Sequence, residues 1–64
     1  MEKVREWLRL TEKTPADLAE MIGASENSVR NWLAGRNVPG GLMLRRVHET
    51  TQIPLEDLVP RDAA

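Results

Sequence analysis

Two asparagines and an arginine occupy positions i, i+3 and i+4 in the middle of the chain. These residues are Asn27, Arg30 and Asn31, and on a helix they lie on one side. Asn amides form paired hydrogen bonds with adenine edges, and Arg guanidinium groups do the same with guanine edges. The residue types therefore favour recognition of bases in the major groove of DNA. An ordinary polar helix face remains the alternative interpretation.

The apolar residues of the same segment define its buried side. Val29, Trp32 and Leu33 fall within a narrow arc opposite the asparagines. Asparagine forms helices poorly, yet two share the outer face of one short helix, which favours recognition. A glutamate in the first turn can accept from cytosine N4. The candidate base-reading residues are Glu26, Asn27, Ser28, Arg30 and Asn31.

Residues that begin and end helices flank this segment. Thr14 is a good N-cap, Pro15 suits the first helical position, and Asp17 completes a pattern similar to a capping box. Gly23 is expected to end this second helix in the left-handed conformation. The apolar stripe between them consists of Leu18, Ala19 and Ile22.

Ser25 caps the third helix, which we predict over about residues 26–34. Glu26 at its start interacts favourably with the positive end of the helix dipole, and Gly35 is the matching stop. The segment Arg36–Gly41 that follows holds Pro39 and two adjacent glycines, which predict a loop.

Every other periodic segment also predicts a helix. We expect a first helix over about Glu2–Thr11, a fourth over about Leu42–Thr51, and a short turn after Pro54. Their inward-facing residues are predicted to be Val4, Trp7, Leu8, Leu44, Val47, Leu55 and Leu58. The prediction is an all-α protein, a compact four- to five-helix bundle. It is one domain over residues 1–64, with a core over about 2–59 and a tail over 60–64.

Charge is unevenly distributed along the chain. Residues 25–48 carry +3, whereas the remaining residues carry −4 and the whole chain −1. A basic segment between acidic flanks can present a patch to phosphates, although a mixed solvated surface explains the same pattern. No segment approaches the roughly 20 apolar residues of a membrane span. We therefore expect a cytoplasmic, nucleoid-associated protein without a membrane partner.

The sequence offers no set of residues for catalysis. It contains no cysteine, which excludes disulfides and thiolate metal sites. Its single histidine, His48, has no neighbouring ligand set and is interpreted as a partly buried or surface residue. We expect no catalytic residue, metal, cofactor or small-molecule substrate.

The residues that begin and end the helices of the central segment, with the apolar residues between them, form a specific pattern. The pattern Thr14-x-x-x-Leu18-Ala19-x-x-x-Gly23-Ala24-Ser25-x-x-x-Val29-x-x-Trp32-x-x-Gly35-x-x-x-Pro39 resembles the phage-repressor (Cro/XRE-like, lambda-repressor-like) helix-turn-helix family. The resemblance extends over about residues 4–59. It implies a DNA-binding domain in which the second and third helices form the helix-turn-helix.

The resemblance also implies which residues contact DNA. Base reading falls on the five candidates above, and phosphate contacts fall on Lys13, Thr14, Ser25, Arg36, Asn37 and Gly41. Pro15 replaces the family's usual Gln and offers neither an amide side chain nor a backbone N–H. Leu8 and Leu33 replace an Arg–Glu pair found in many members, which predicts a retained fold with a drier core.

The resulting hypothesis is sequence-specific binding of double-stranded DNA by a transcriptional regulator, most simply a repressor. A homodimer on a palindromic site would supply the affinity that one recognition helix lacks. Whether the chain is a natural regulator or an engineered binder on this scaffold stays open. The alternative is a protein-interaction domain that keeps the fold without binding DNA.

Overall fold

A computed structural model of the chain describes residues 1–58 and contains helices at every predicted place. They are α1 (Glu2–Thr11), α2 (Pro15–Ile22), α3 (Glu26–Leu33), α4 (Gly41–Thr51) and α5 (Leu55–Leu58). The described residues contain no strand, so the all-α prediction is confirmed. Within them, no helix combines the length and apolar character needed to cross a membrane. The predicted tail over 60–64 lies outside the described residues.

The start of α2 follows the predicted capping chemistry. The Thr14 hydroxyl accepts a hydrogen bond from the Asp17 backbone N–H at 3.2 Å, and the Asp17 carboxylate accepts from the Thr14 N–H at 3.0 Å. Hydrogen bonding of the Asp17 carboxylate to Thr14, mainly to its backbone N–H, holds the pKa of Asp17 below its usual value, and the charge of Lys13 adds to the effect. The capping box that the sequence predicted is therefore complete.

Glycines end α2 and α3. Gly23 and Gly35 have φ angles of 76° and 78°, the left-handed region that other residues enter only with strain. The Gly35 and Arg36 N–H groups donate to the carbonyls of Trp32 and Asn31, which is a Schellman motif. Helix α3 ends at Leu33, one residue before the predicted end.

Two helix ends do not use glycine. Glu12 and Gln52 adopt φ angles of 56° and 63° immediately after α1 and α4. Their N–H groups still donate to carbonyls of the preceding turn. Neither position could be predicted from residue type, because glutamate and glutamine do not favour the left-handed conformation.

The core lies where the four longer helices meet. Helix α2 packs against α3 and α4, while α1 packs against α3 and α5. Leu8 is buried and Leu33 packs against the core, as the drier-core prediction requires. The inward orientation predicted for Leu55 is wrong, since its side chain is 45% exposed. A single helical turn has room to bury one of its two leucines, and Leu58 takes that place. The buried residues among residues 1–58 are Val4, Leu8, Leu18, Ala19, Ile22, Val29, Trp32, Pro39, Val47, Thr51, Ile53 and Leu58.

Polar residues fix the connection from α4 to α5. The Thr51 hydroxyl donates to the Val47 carbonyl and accepts from the Ile53 N–H. The His48 ring nitrogen Nδ1 lies 2.6 Å from the Ile53 carbonyl and donates to it, since a carbonyl can only accept. His48 therefore positions the start of α5.

Candidate nucleic-acid interface

Helix α3 turns one face to the core and the other to solvent. Val29 is fully buried and Trp32 is 7% exposed, while Asn27 and Arg30 are exposed. Ser25 begins the helix by accepting from the Ser28 N–H at 3.1 Å. The predicted division of this helix into apolar and polar faces is confirmed for these residues.

Asn31 is less exposed than its position on the helical wheel predicted. Its side chain is half-buried, and its Oδ1 accepts a hydrogen bond from Arg36 Nη1 at 3.1 Å. The Schellman motif brings Arg36 back over the last turn of α3, which the wheel could not show. Asn31 therefore anchors Arg36 through its carbonyl oxygen, and its amide N–H groups remain for another acceptor.

Two other candidate base-reading residues pair with each other. Arg30 Nε donates to the Glu26 carboxylate at 2.7 Å, and both side chains are exposed. An exposed pair of this i, i+4 type contributes only about 0.3–0.5 kcal/mol. The pair presents both charges at the outer face of α3, and it separates at little cost when a ligand offers better partners.

Ser25 and Ser28 are used within the helix start. The Ser25 hydroxyl donates to Ser28 Oγ at 2.9 Å while it caps the Ser28 N–H. Ser28 is half-buried. Within residues 1–58, Asn27 is the one candidate base-reading side chain for which the structure records no hydrogen bond, so its amide is open to a ligand.

The start of α2 is less suited to phosphates than the resemblance implies. The Thr14 N–H is taken by the Asp17 carboxylate, which also places a negative charge there. Lys13 is exposed beside it and partly offsets that charge. A phosphate contact at this helix start would therefore depend on the Lys13 ammonium group.

The start of α4 has open donors and no acid in its first turn. Gly40 is the N-cap without a side-chain hydrogen bond, and the first three N–H groups, from Gly41 to Met43, meet no acceptor in the described part of the chain. Gly40 has a φ of −67°, and a Cβ at Gly40 or Gly41 would meet nothing within 4 Å. The fold itself thus does not require glycine here, whereas close approach of a phosphate would.

The basic segment does not form one continuous patch. Arg45 lies 3.7 Å from Glu49, and Arg46 Nη1 donates to the Ile22 carbonyl at 3.0 Å. Arg46 therefore ties α4 to the end of α2. Arg36 remains beside α3, whereas Asn37 lines a separate depression with Met1 and Trp32.

Sequence reasoning missed one basic residue near this surface. Arg5 of α1 donates from Nη2 to the Leu33 carbonyl at 2.7 Å and lies beside Arg30 and Arg36. The helical pattern of α1 did not assign Arg5 to this surface. No periodicity signal links residues 28 positions apart, so this placement depends on tertiary packing.

Residues 1–58 contain no cluster of three or more side chains suited to holding a metal ion. The side chains that the structure brings together are instead amide, guanidinium and hydroxyl groups with open backbone donors. Comparisons with protein-family models, curated proteins and solved structures found no match to this chain.

Proposed function

We propose that this protein binds double-stranded DNA in a sequence-specific manner through the outer face of α3. The observation that carries the proposal is the division of this eight-residue helix. Val29 and Trp32 anchor it in the core, while Asn27 and Arg30 stand in solvent on the other side. A short helix held in this way can enter the major groove and present its side chains to base edges.

Each exposed side chain has a defined complement. Asn27 is suited to adenine, Arg30 to guanine, and Glu26 to the amino group of cytosine. The Arg30–Glu26 pair would separate on a matching site, because each partner then gains a base contact. Asn31 contributes its amide N–H groups and holds Arg36 for a phosphate. Ser28 and Ser25 lie at the helix tip that faces the groove floor.

Phosphate contacts would flank this helix. The open N–H groups at Gly41 and the Arg36 guanidinium are the best-supported donors, with Lys13 as a third and Asn37 and Thr14 as weaker ones. Helix N-termini bind phosphates because their N–H groups and dipole attract negative charge. These contacts set the position of α3 on the duplex without reading sequence.

The biological role that we propose is transcriptional regulation, most simply repression by occupying a site. One recognition helix covers few base pairs, so we propose binding as a homodimer on a palindromic site. The exposed side chains of Val38 and Leu42 are available for contacts with a protein. If duplex binding fails, these apolar residues and the acidic flanks favour the alternative of a protein-interaction domain.

A salt titration tests the proposal. Affinity for duplex DNA should fall as salt rises, and two phosphates neutralised by Arg36 and Lys13 predict a slope of about −1.8 in log K against log salt. Arg36→Gln should weaken all duplexes alike, whereas Arg30→Gln should change the preferred base at one position. Absence of duplex binding at 50 mM salt, in a protein that is folded by circular dichroism, would refute the function.

A further inference from the structure

A shallow groove of about 360 Å³ runs between α1, the start of α2 and the end of α3. Three of its lining residues, Arg5, Arg30 and Arg36, carry guanidinium groups from three different parts of the chain. The other lining residues are Pro15, Leu33 and Ala34. We call this surface the three-arginine groove, and no carboxylate lines it.

Each guanidinium is held in place by few of its five N–H donors. Arg5 uses one on the Leu33 carbonyl, and Arg36 uses one on Asn31. Arg30 directs Nε and Nη2 at one Glu26 oxygen. The structure records no further acceptor for these three groups among the described residues. Several charge-bearing donors therefore remain for an anion, and their side chains are already positioned by these contacts.

The surroundings favour an anion in this groove over one elsewhere on α1. The acids of α1, Glu2 and Glu6, line a different depression, although Arg5 also borders it. The carboxylate nearest in sequence on α3, Glu26, is engaged by Arg30. Apolar walls at Pro15, Leu33 and Ala34 offer no competing charge, and the structure records no ion pair for Arg5 or Arg36 among residues 1–58. These two positive groups therefore act there with little local compensation, whereas Arg30 is paired with Glu26.

We propose that the Arg5 and Arg36 side of the three-arginine groove binds a backbone phosphate of the duplex, with Arg5 as a contact from α1, while Arg30 keeps its proposed base contact. The inference rests on the proposed function, because it places the phosphate strand beside the outer face of α3. The planar fork of Arg5 can bind two phosphate oxygens at once. Helix α1 thereby joins the interface instead of serving only as a support for α3.

Substitution of Arg5 by Gln tests this contact. Loss of one phosphate contact makes the salt slope less steep by about 0.9. The ratio of the unsubstituted protein's affinity to that of Arg5→Gln should therefore be about eightfold larger at 0.1 M salt than at 1 M. The loss should be equal for all sequences. Arg9→Gln removes the same charge one turn further along α1, where Arg9 lies on the more exposed surface. It should leave the slope unchanged.

A neutral methylphosphonate placed at single positions of the duplex locates the contact. At one position the methylphosphonate should weaken binding by the unsubstituted protein but not binding by Arg5→Gln. The reason is that the methylphosphonate and the substitution remove the same interaction. Arg5→Lys keeps the charge and should retain the slope. If Arg5→Gln is unfolded by circular dichroism, Arg5→Met, which removes the charge and keeps an apolar stem, replaces it in both measurements.

The outcomes separate the two proposals. If the unsubstituted protein shows no salt-dependent duplex binding, the proposed function itself fails. If it binds, but Arg5→Gln and Arg9→Gln have equal effects or no methylphosphonate position couples to residue 5, the three-arginine groove is not a phosphate site and DNA binding by α3 stands.

Discussion

At the scale of single residues, the outer face of α3 is preorganised by contacts within the protein. Arg36 is held by Asn31, so its guanidinium samples fewer rotamers, whereas the exposed Arg30–Glu26 pair separates readily. Holding a long side chain in advance reduces the entropy lost on binding. The Glu26 carboxylate also repels phosphates, which disfavours sequences that offer it no donor. Under the proposed function, Glu26 would thus contribute to specificity by opposing non-specific binding.

Glu26→Gln should raise affinity for unselected duplex DNA about threefold at 0.1 M salt and steepen the salt slope. The reason is that Arg30 loses its carboxylate partner and becomes available to phosphates. Affinity for a selected site should not rise in parallel, so the specificity ratio falls. Fluorescence anisotropy with both duplexes measures this ratio.

Glu49→Gln is the matched control for that experiment. It removes the same charge and releases Arg45 on α4, away from the α3 face. An equal gain in non-specific affinity from both substitutions would show that only the net charge matters, contrary to the role assigned to Glu26.

Glu12→Gly should stabilise the protein by about 0.5–1 kcal/mol. The left-handed conformation at this position strains a residue with a Cβ, and glycine relieves that strain. Glycine also increases the entropy of the unfolded chain, which offsets part of the stabilisation. Glu20→Gly is the control: it removes an exposed glutamate from within α2 and should cost about 1 kcal/mol. Urea denaturation measures the free energy of unfolding of both variants. A Glu12→Gly protein less stable than the unsubstituted one would contradict backbone strain at Glu12.

At the scale of helices, side-chain caps at Thr14 and Ser25 set the beginnings of α2 and α3. The positions at which α2 and α3 begin determine which residues of α3 face outward. The capping box also links helix stability to pH through Asp17. The pKa of this carboxyl is lower in the folded protein than its usual 3.8, so its ionised form favours the folded state.

The stability contributed by Asp17 should be present above about pH 4 and lost as pH falls through the lowered folded pKa. Comparison of the protein with Asp17→Asn isolates this effect, because other carboxyl groups titrate alike in both. The difference in unfolding free energy should be constant between pH 6 and 7 and shrink on acidification below about pH 4. A difference that does not depend on pH would contradict the assignment.

The helix boundaries show how far local chemistry extends. Thr14, Ser25, Gly23 and Gly35 could be predicted because capping and left-handed stops depend on residue type and neighbours in sequence. The stop at Glu12 could not, since packing of the chain imposes it against the preference of the residue. For the same reason the partners of Arg36 and Arg5 became evident only in three dimensions.

At the scale of the whole molecule, a small core positions α3. A chain of this length buries only about 60% of its unfolded surface, so stability is marginal. Val29 lies at 0% exposure on the inner face of α3 and is therefore central to folding and to the placement of this helix. The amphipathic pattern of the sequence predicted most of this core. Leu55 is exposed, Trp7 and Leu44 are only half-buried, and the buried Thr51 was not predicted.

Val29→Ala should lower the free energy of unfolding by about 2–3 kcal/mol, because it removes buried methyl groups and leaves a cavity. Val38→Ala makes the same chemical change at a side chain that is 53% exposed and should cost less than about 0.5 kcal/mol. Thermal and urea unfolding measure the contrast. Similar losses for both variants would mean that α3 is not anchored through Val29.

The distribution of charge is also a property of the whole fold. The sequence indicated a basic segment over residues 25–48, but folding divides it, since Arg45 and Arg46 turn to partners on or beside α4. Packing of α1 instead brings Arg5 beside Arg30 and Arg36. A linear count of charges could not predict either change.

Selection from a randomised duplex pool, carried out with the protein and with Asn27→Ala, tests the central claim most directly. The account predicts that the protein enriches a short motif, and that Asn27→Ala keeps the motif except at one position, where the preference for adenine is lost. An unchanged motif with Asn27→Ala, or uniform weakening across all sequences, would contradict base reading by the outer face of α3.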